Sequence, residues 1–333
     1  MADRFSSTSS FDSFDYENTN SETSSTHSVA TLFDPIKESA MTPYNLFDQF
    51  IEIDGRYYFN DKELKSYLPS DKQEHDRAYI QFYVYKVLWK GNYSSPITHD
   101  LSLGINVLDV GCGGAPWTLA MALDFPLSSF VGVDISPLFP EERPPNAAFI
   151  KCDVHDGLPF PDNSFDFVWQ AFLIVCIDWQ AWREKVMKEL IRVTKPGGYI
   201  EIMDMDAMVM NPGEIGRKLN QLQLTSYADA GINVMSSKGV LEAFGELSDK
   251  VTVEAVHKRK YRFGKHAGKL GEMALACYIQ ALESMGAFLG PLFEVTDDGY
   301  KQLIIDYYNE LNNGNSYLAS CYRITVKKNG SRM

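Results

Sequence analysis

The stretch Val107-Leu108-Asp109-Val110-Gly111-Cys112-Gly113-Gly114-Ala115 decides the architecture. A short apolar run, 106–110, enters a turn rich in glycine, and a helix-compatible run, 117–123, leaves it. Glycine lets the backbone turn tightly and approach a ligand without a Cβ clash. The helix N-terminus that follows presents free N–H groups. Counting from Gly111, Pro116 falls where a dinucleotide fingerprint carries its third glycine, and no Gly-Lys-Ser/Thr follows as in a P-loop. Asp109, two residues before the first glycine, would repel a pyrophosphate but suits an ammonium. The pattern favours a zwitterionic, adenosine-containing ligand over NAD.

Downstream, 130–134 reads as a second strand ending on Asp134, and 148–152 as a third ending at Asp153. A fourth strand covers 165–169, a helix 179–193, and Lys195-Pro196-Gly197-Gly198 turns into a fifth strand over 199–203. Short apolar strands alternating with helices mean a parallel sheet with both faces covered. Upstream, 72–89 has neither Pro nor Gly and two neighbouring apolar stripes, Tyr79/Phe82/Tyr83/Lys86 and Ile80/Val84/Val87/Leu88, predicting a helix buried on a wide face. After the fifth strand, 212–246 is mostly helical with a break near Gly231. Strand 251–256, helices 270–285 and 301–311, and a closing strand 316–326 complete the chain. The last two strands can pair antiparallel at the sheet edge. The helical stretch after strand five is long for a crossover and is expected to cap the active face.

Composition bounds the partners. The 333 residues hold 31 Lys and Arg against 44 Asp and Glu, a net charge of -13. That disfavours a nucleic-acid backbone and an anionic membrane as partners. Residues 1–30 hold nine Ser, four Thr and five acids against one Arg, so 1–42 reads as a disordered Ser/Thr-rich tail. Residues 43–333 then form one domain, with an N-terminal segment (43–100) and a cap insertion (about 207–246). Five scattered cysteines with no CxxC spacing argue against a disulfide scaffold and fit an intracellular location, cytoplasmic or nuclear. No apolar leader and no run of 18 apolar residues is present, so no membrane span is expected.

The stretches VLDVGCGGAPWTLAMA, VGVDIS, CDVHDGLPFPDNSFDFVW and LIRVTKPGGYIEI together resemble class I S-adenosylmethionine-dependent methyltransferases. Within that class they are similar to the trans-aconitate methyltransferase and LaeA-like fungal type. The resemblance covers about 104–205, and more weakly 67–90 and the C-terminal strands. It implies a Rossmann-like α/β sheet of seven strands in order 3-2-1-4-5-7-6, strand seven antiparallel, with a helical cap. It also implies S-adenosyl-L-methionine as cofactor. Asp109, Gly111, Cys112 and Gly113 match the motif that holds its methionine part. Asp134, with Ile135 beside it, matches the acid that takes the ribose hydroxyls, and a carboxylate accepts two such hydrogen bonds well. Asp153 and Val154 match the adenine contacts. Trp169 and Gln170 follow strand four, where the family lines the sulfonium, and Trp169 could offer an aromatic wall. Ala115 stands where the motif commonly has a third glycine.

Residues 67–81 resemble an N-terminal signature of the LaeA-like subgroup, making Arg77 a candidate for the cofactor carboxylate against a structural ion pair. Tyr57 and Tyr67 are candidates for lining the substrate pocket against plain packing. No catalytic base stands out. Asp204 and Asp206 lie just past strand five and His155 follows the adenine positions, so these are the weak candidates. Metal-ligand spacing is lacking, and no metal is expected. The basic run His257-Lys258-Arg259-Lys260 reads first as a solvated hairpin face. The expected activity is methyl transfer to a small-molecule substrate, with protein partners and oligomeric state left open. The alternative is a regulatory or interaction protein on a methyltransferase scaffold with weak or no catalysis.

Overall fold

The computed structural model describes residues 50–59, 68–136, 139–229 and 231–330. The expected tail, 1–42, and the candidate Tyr67 lie outside the described residues.

Two short strands come first, β1 (Phe50–Ile53) and β2 (Arg56–Phe59), paired antiparallel across Asp54-Gly55. Both turn residues have positive φ, 52° and 73°, the geometry that an Asp-Gly hairpin turn requires. Sequence reading passed over this signal among the aromatic residues around it.

Helix α1 (Lys72–Trp89) starts where Asp71 accepts a hydrogen bond from the Glu74 backbone N–H, and ends at Lys90 in the left-handed region. Its boundaries match the sequence expectation, but its buried face does not. Glu74, Arg77, Val84, Tyr85 and Trp89 are buried, whereas Ile80, Tyr83 and Val87 are exposed. The reason is polar: Arg77 finds Glu74 at 2.6 Å on the same helix, so the pair can turn inward as a unit.

After α2 (Thr98–Leu103) comes the main sheet, with strands β3 (Asn106–Val110), β4 (Ser129–Asp134), β5 (Ala147–Lys151), β6 (Phe165–Ala171), β7 (Thr194–Met210), β8 (Val251–Arg262) and β9 (Tyr317–Lys328). The spatial order is β5-β4-β3-β6-β7-β9-β8. The pairs β3/β4, β4/β5, β3/β6 and β6/β7 are parallel, and β9 is antiparallel to both β7 and β8. Counting main-sheet strands from β3, this is the expected order 3-2-1-4-5-7-6. Alternation along the strands feeds two cores. Val107, Phe130, Phe167 and Trp169 face one side, and Leu108, Val131, Val168 and Ile200 the other.

Helices cover the sheet: α3 (Pro116–Asp124), α4 (Trp179–Ala181), α5 (Met187–Val193), α6 (Glu214–Asp229), α7 (Ser236–Glu246), α8 (Gly268–Ser284), α9 (Gly286–Leu292) and α10 (Asp297–Asn313). The run expected as one helix over 179–193 carries a π-helical turn at Trp182–Val186. Strand β7 runs seven residues beyond its expected end because β9 pairs alongside it as far as Met210 with Tyr317. Strand β8 likewise continues to Arg262, so His257–Lys260 lies on an edge strand, not a hairpin. Exposed Lys and Arg there suit an edge, because they discourage pairing with another chain.

One buried charge set ties the layers together. Glu201 on β7 accepts hydrogen bonds from the Ser94 and Ser95 backbone N–H groups and from Ser95 Oγ, and lies 3.7 Å from Arg323 on β9. The Arg323 guanidinium sits over both Trp89 and Trp169, at 4.9 and 5.3 Å.

Candidate active site

At the C-terminal ends of β3, β4 and β5, a cleft of about 190 Å³ is lined by Gly111, Asp134, Ile135, Asp153, Val154 and His155. Gly111 has φ +75°, and a Cβ there would lie 3.1 Å from Leu173 Cδ1, so glycine keeps this wall open. The backbone N–H groups of Gly111 and Cys112 both donate to the Val133 carbonyl, holding the turn onto β4. Asp134 receives the Gly113 N–H at 2.8 Å on Oδ2 and the Ser136 N–H at 2.9 Å on Oδ1. Each oxygen keeps a further lone pair for a ligand hydroxyl. Burial raises the Asp134 carboxyl above the usual range, and the two N–H groups pull it back down. Asp153 Oδ1 accepts the His155 backbone N–H and meets its Nδ1, both at 2.8 Å.

Other expected residues stand behind the cleft. Asp109 is buried, accepts Thr118 Oγ1 at 2.6 Å, and is pushed up to about 7 by burial. Gly113 shapes the turn through its N–H, and Cys112 packs its sulfur against Gly132, where an added Cβ would come within 2.9 Å of it. Ala115 adopts φ 61°, which explains why a glycine is at home in this position of the motif.

Several expectations need correction. Trp169 is 1% exposed and stacks on Trp117 at 4.8 Å with an interplanar angle of 2°, so it forms core and lines neither the cleft nor the cavity described below. An inward residue of a central strand is buried by the helix packed over it, here α3. Gln170 is fully buried and accepts Trp182 Nε1 at 3.2 Å. Tyr57 is 49% exposed and Tyr58 is the inward residue of β2, its hydroxyl donating to the Ser284 carbonyl at 2.7 Å. Asp204 and Asp206 are occupied by the backbone. Asp204 accepts the Ile174 and Met205 N–H groups, and Asp206 accepts the Ser237 N–H and Oγ–H. Asp204 thereby positions the β6–α4 loop rather than a substrate. His155 lines the cleft.

A second cavity of about 140 Å³ adjoins the first, and its wall includes Arg77, Tyr85, Phe172, Cys176, Gln223 and Tyr278. Phe172 and Cys176 line both spaces. Arg77 therefore borders this cavity and not the cleft, with Nε and Nη2 on Glu74 and Nη1 on Gln81 Oε1 and Cys277 Sγ. Phe172 holds its position with φ 54° and an edge contact to Tyr85 at 4.6 Å. Sequence reading missed Phe172, Leu173 and Cys176. The only signal was their place just after the fourth strand, and a bulky residue in the left-handed region carries no mark in sequence. Among the described residues no group of three or more His, Cys, Asp or Glu is arranged to hold a metal ion.

Residues 107–198 match a family model described as a methyltransferase domain. The chain is 31% identical over 161 residues to the secondary metabolism regulator laeA of Coprinopsis cinerea, covering 46% of this chain and 38% of that protein. It is 29% identical over 150 residues to the N-methyltransferase tcpN of Claviceps purpurea, covering 43% and 53%. The chain thus spans about half the length, or less, of these curated relatives. Among solved structures it is similar to phosphoethanolamine N-methyltransferase 2 of Haemonchus contortus, at 16% identity and a TM-score of 0.44, covering 80% of this chain and 61% of that one.

Proposed function

We infer that this chain, which carries a class I S-adenosylmethionine-dependent methyltransferase domain of LaeA-like type, moves a methyl group to a small-molecule acceptor seated in the second cavity. One observation carries this reading: cleft and cavity both reach Phe172 and Cys176, so donor and acceptor would meet beside these two residues. The residues of the cleft fit the cofactor. Gly111 offers space that a Cβ would fill, and Asp134 retains acceptor capacity for the two ribose hydroxyls. Asp153 and Val154 would frame the adenine, and Asp109, held by Thr118 Oγ1, would brace the turn from behind.

S-adenosyl-L-methionine supplies the reactive methyl group on its sulfonium when bound, so the protein's part is binding and alignment. Holding two reacting groups at near-attack distance removes much of the barrier. Asp204 contributes at one remove, by fixing the loop that carries Phe172 and Cys176. The apolar walls exclude water from the meeting point.

The test is calorimetric titration of S-adenosylhomocysteine into the wild type and Asp134→Ala. Two charge-assisted hydrogen bonds to ribose are lost, and each is worth about 1.5 kcal/mol or more. The affinity should fall at least about 100-fold while circular dichroism stays native. Equal affinity in a folded variant would remove the cleft from the reading.

A further inference from the structure

The second cavity has a chemistry of its own. Arg77 is the only formally charged side chain among its described lining residues, and it is matched by Glu74. Both are 8% exposed, and the Arg77 Nη1 bonds go to Gln81 and Cys277. The other titratable groups on the wall are phenols and thiols. Burial raises Tyr85, Tyr261 and Cys277, and pushes Tyr278 and Cys176 up to about 12, so these five stay neutral near pH 7. A buried anion entering here would meet no uncompensated cation, and desolvating it would go unrewarded.

One polar atom on the wall is unsatisfied. Gln223 on α6 is 5% exposed and its side chain hydrogen-bonds Tyr278, yet its Oε1 has no hydrogen-bond partner among the described residues. A buried acceptor without a donor costs free energy that a ligand donor can recover. The volume sets the scale: a cavity of about 150 Å³ lined by apolar side chains holds a benzene ring, and this one is about 140 Å³.

We propose that the cavity selects a neutral acceptor whose reacting end is of one-ring size, apolar on its faces and carrying one hydrogen-bond donor that Gln223 Oε1 receives. This rests on the methyl-transfer reading for its role, but the ligand class follows from the cavity alone. Carboxylates and phosphates are excluded by the Glu74–Arg77 pairing, and Gln223 is the specificity determinant.

Three ring probes of matched size, p-cresol, toluene and p-toluate, test this by ligand-observed NMR on the full chain, with and without saturating S-adenosylhomocysteine. The expected result is p-cresol binding at least tenfold tighter than p-toluate. Gln223→Met, close to isosteric, should weaken p-cresol roughly three- to tenfold and leave toluene unchanged. Ala281→Phe places a ring on the cavity wall and should abolish binding of all three probes while S-adenosylhomocysteine still binds. Equal binding of p-toluate, an unchanged cresol-to-toluene ratio in a folded Gln223→Met, probes that persist in Ala281→Phe, or no probe binding in the wild type would each overturn the proposal. If Gln223→Met does not fold, the wild-type cresol-to-toluate ratio and Ala281→Phe decide it. Cresol selectivity without any S-adenosylhomocysteine binding would uphold the ligand class and overturn the methyl-transfer reading instead.

Discussion

In the cleft, Asp134 and Asp153 stand against backbone N–H groups and a histidine, and no lysine or arginine pairs with either among the described residues. One shared wall away, Arg77 is held to Glu74 so fully that its charge is spent within the protein. The cleft keeps open acceptors for a polar, cationic ligand. The cavity has closed its one ion pair and left one neutral acceptor atom, Gln223 Oε1, without a donor among the described residues. Adjacent spaces can therefore bind opposite kinds of molecule without an added barrier, because each settles its electrostatics before the ligand arrives. The residues shared by both spaces, Phe172 and Cys176, carry no charge at neutral pH that would blur the difference.

The largest expected effect comes from opening the closed pair. Glu74→Gln leaves the Arg77 guanidinium buried without its counter-charge, a change that costs about 3 kcal/mol. Urea unfolding should show that loss, and p-toluate should then overtake p-cresol in the cavity. Retention of the wild-type order would mean that the pair does not set the cavity's charge preference.

Next in size is Asp204, which holds the dividing loop. Burial pushes its carboxyl up to about 7, with the Met205 and Ile174 N–H groups opposing. A carboxyl whose folded value is raised binds its proton more tightly in the folded state. Its contribution to stability is therefore present at low pH and is lost as pH rises from about 4 to about 7. Asp204→Asn removes that slope, so the variant should gain on the wild type by on the order of 2 kcal/mol between pH 5 and pH 8. Parallel stability curves across that range would show that Asp204 titrates like an ordinary carboxylate.

The smallest effect tests the turn itself. Ala115 has φ 61° at the start of α3, and glycine takes that conformation without penalty. Ala115→Gly should stabilise by about 0.5 kcal/mol, since relief of the left-handed strain is partly offset by greater freedom of the unfolded chain. Thermal unfolding would show a small rise in midpoint with S-adenosylhomocysteine affinity unchanged. A loss of stability would mean that the buried Ala115 methyl contributes more than the strain costs.

Legibility divides along the same wall. The cleft's glycine turn and its acids are local motifs at strand ends, so Gly111, Asp134 and Asp153 could be named as cleft residues from a few tens of residues of context. Trp169 shows the limit of that reasoning. Its place near the C-terminal end of a strand matches a sulfonium-facing site, but α3 covers that side of β6 and brings Trp117 against it. Asp204 and Asp206 look available in sequence and are consumed by the backbone N–H groups of Ile174, Met205 and Ser237.

Periodicity, glycine placement and strand-end acids act over short distances, so the parallel sheet and the glycine turn could be read from the residues themselves, whereas the strand order came from the family resemblance. The second cavity exists only once the chain has folded. Arg77 and Tyr85 come from α1, Phe172 and Cys176 from the loop after β6, Gln223 from α6 and Tyr278 from α8. Arg77 and Cys277 on the same wall touch although 200 positions apart along the chain. No local pattern announces such a cavity, since its character depends on which charges find partners and which polar atoms are left without one once the helices have packed.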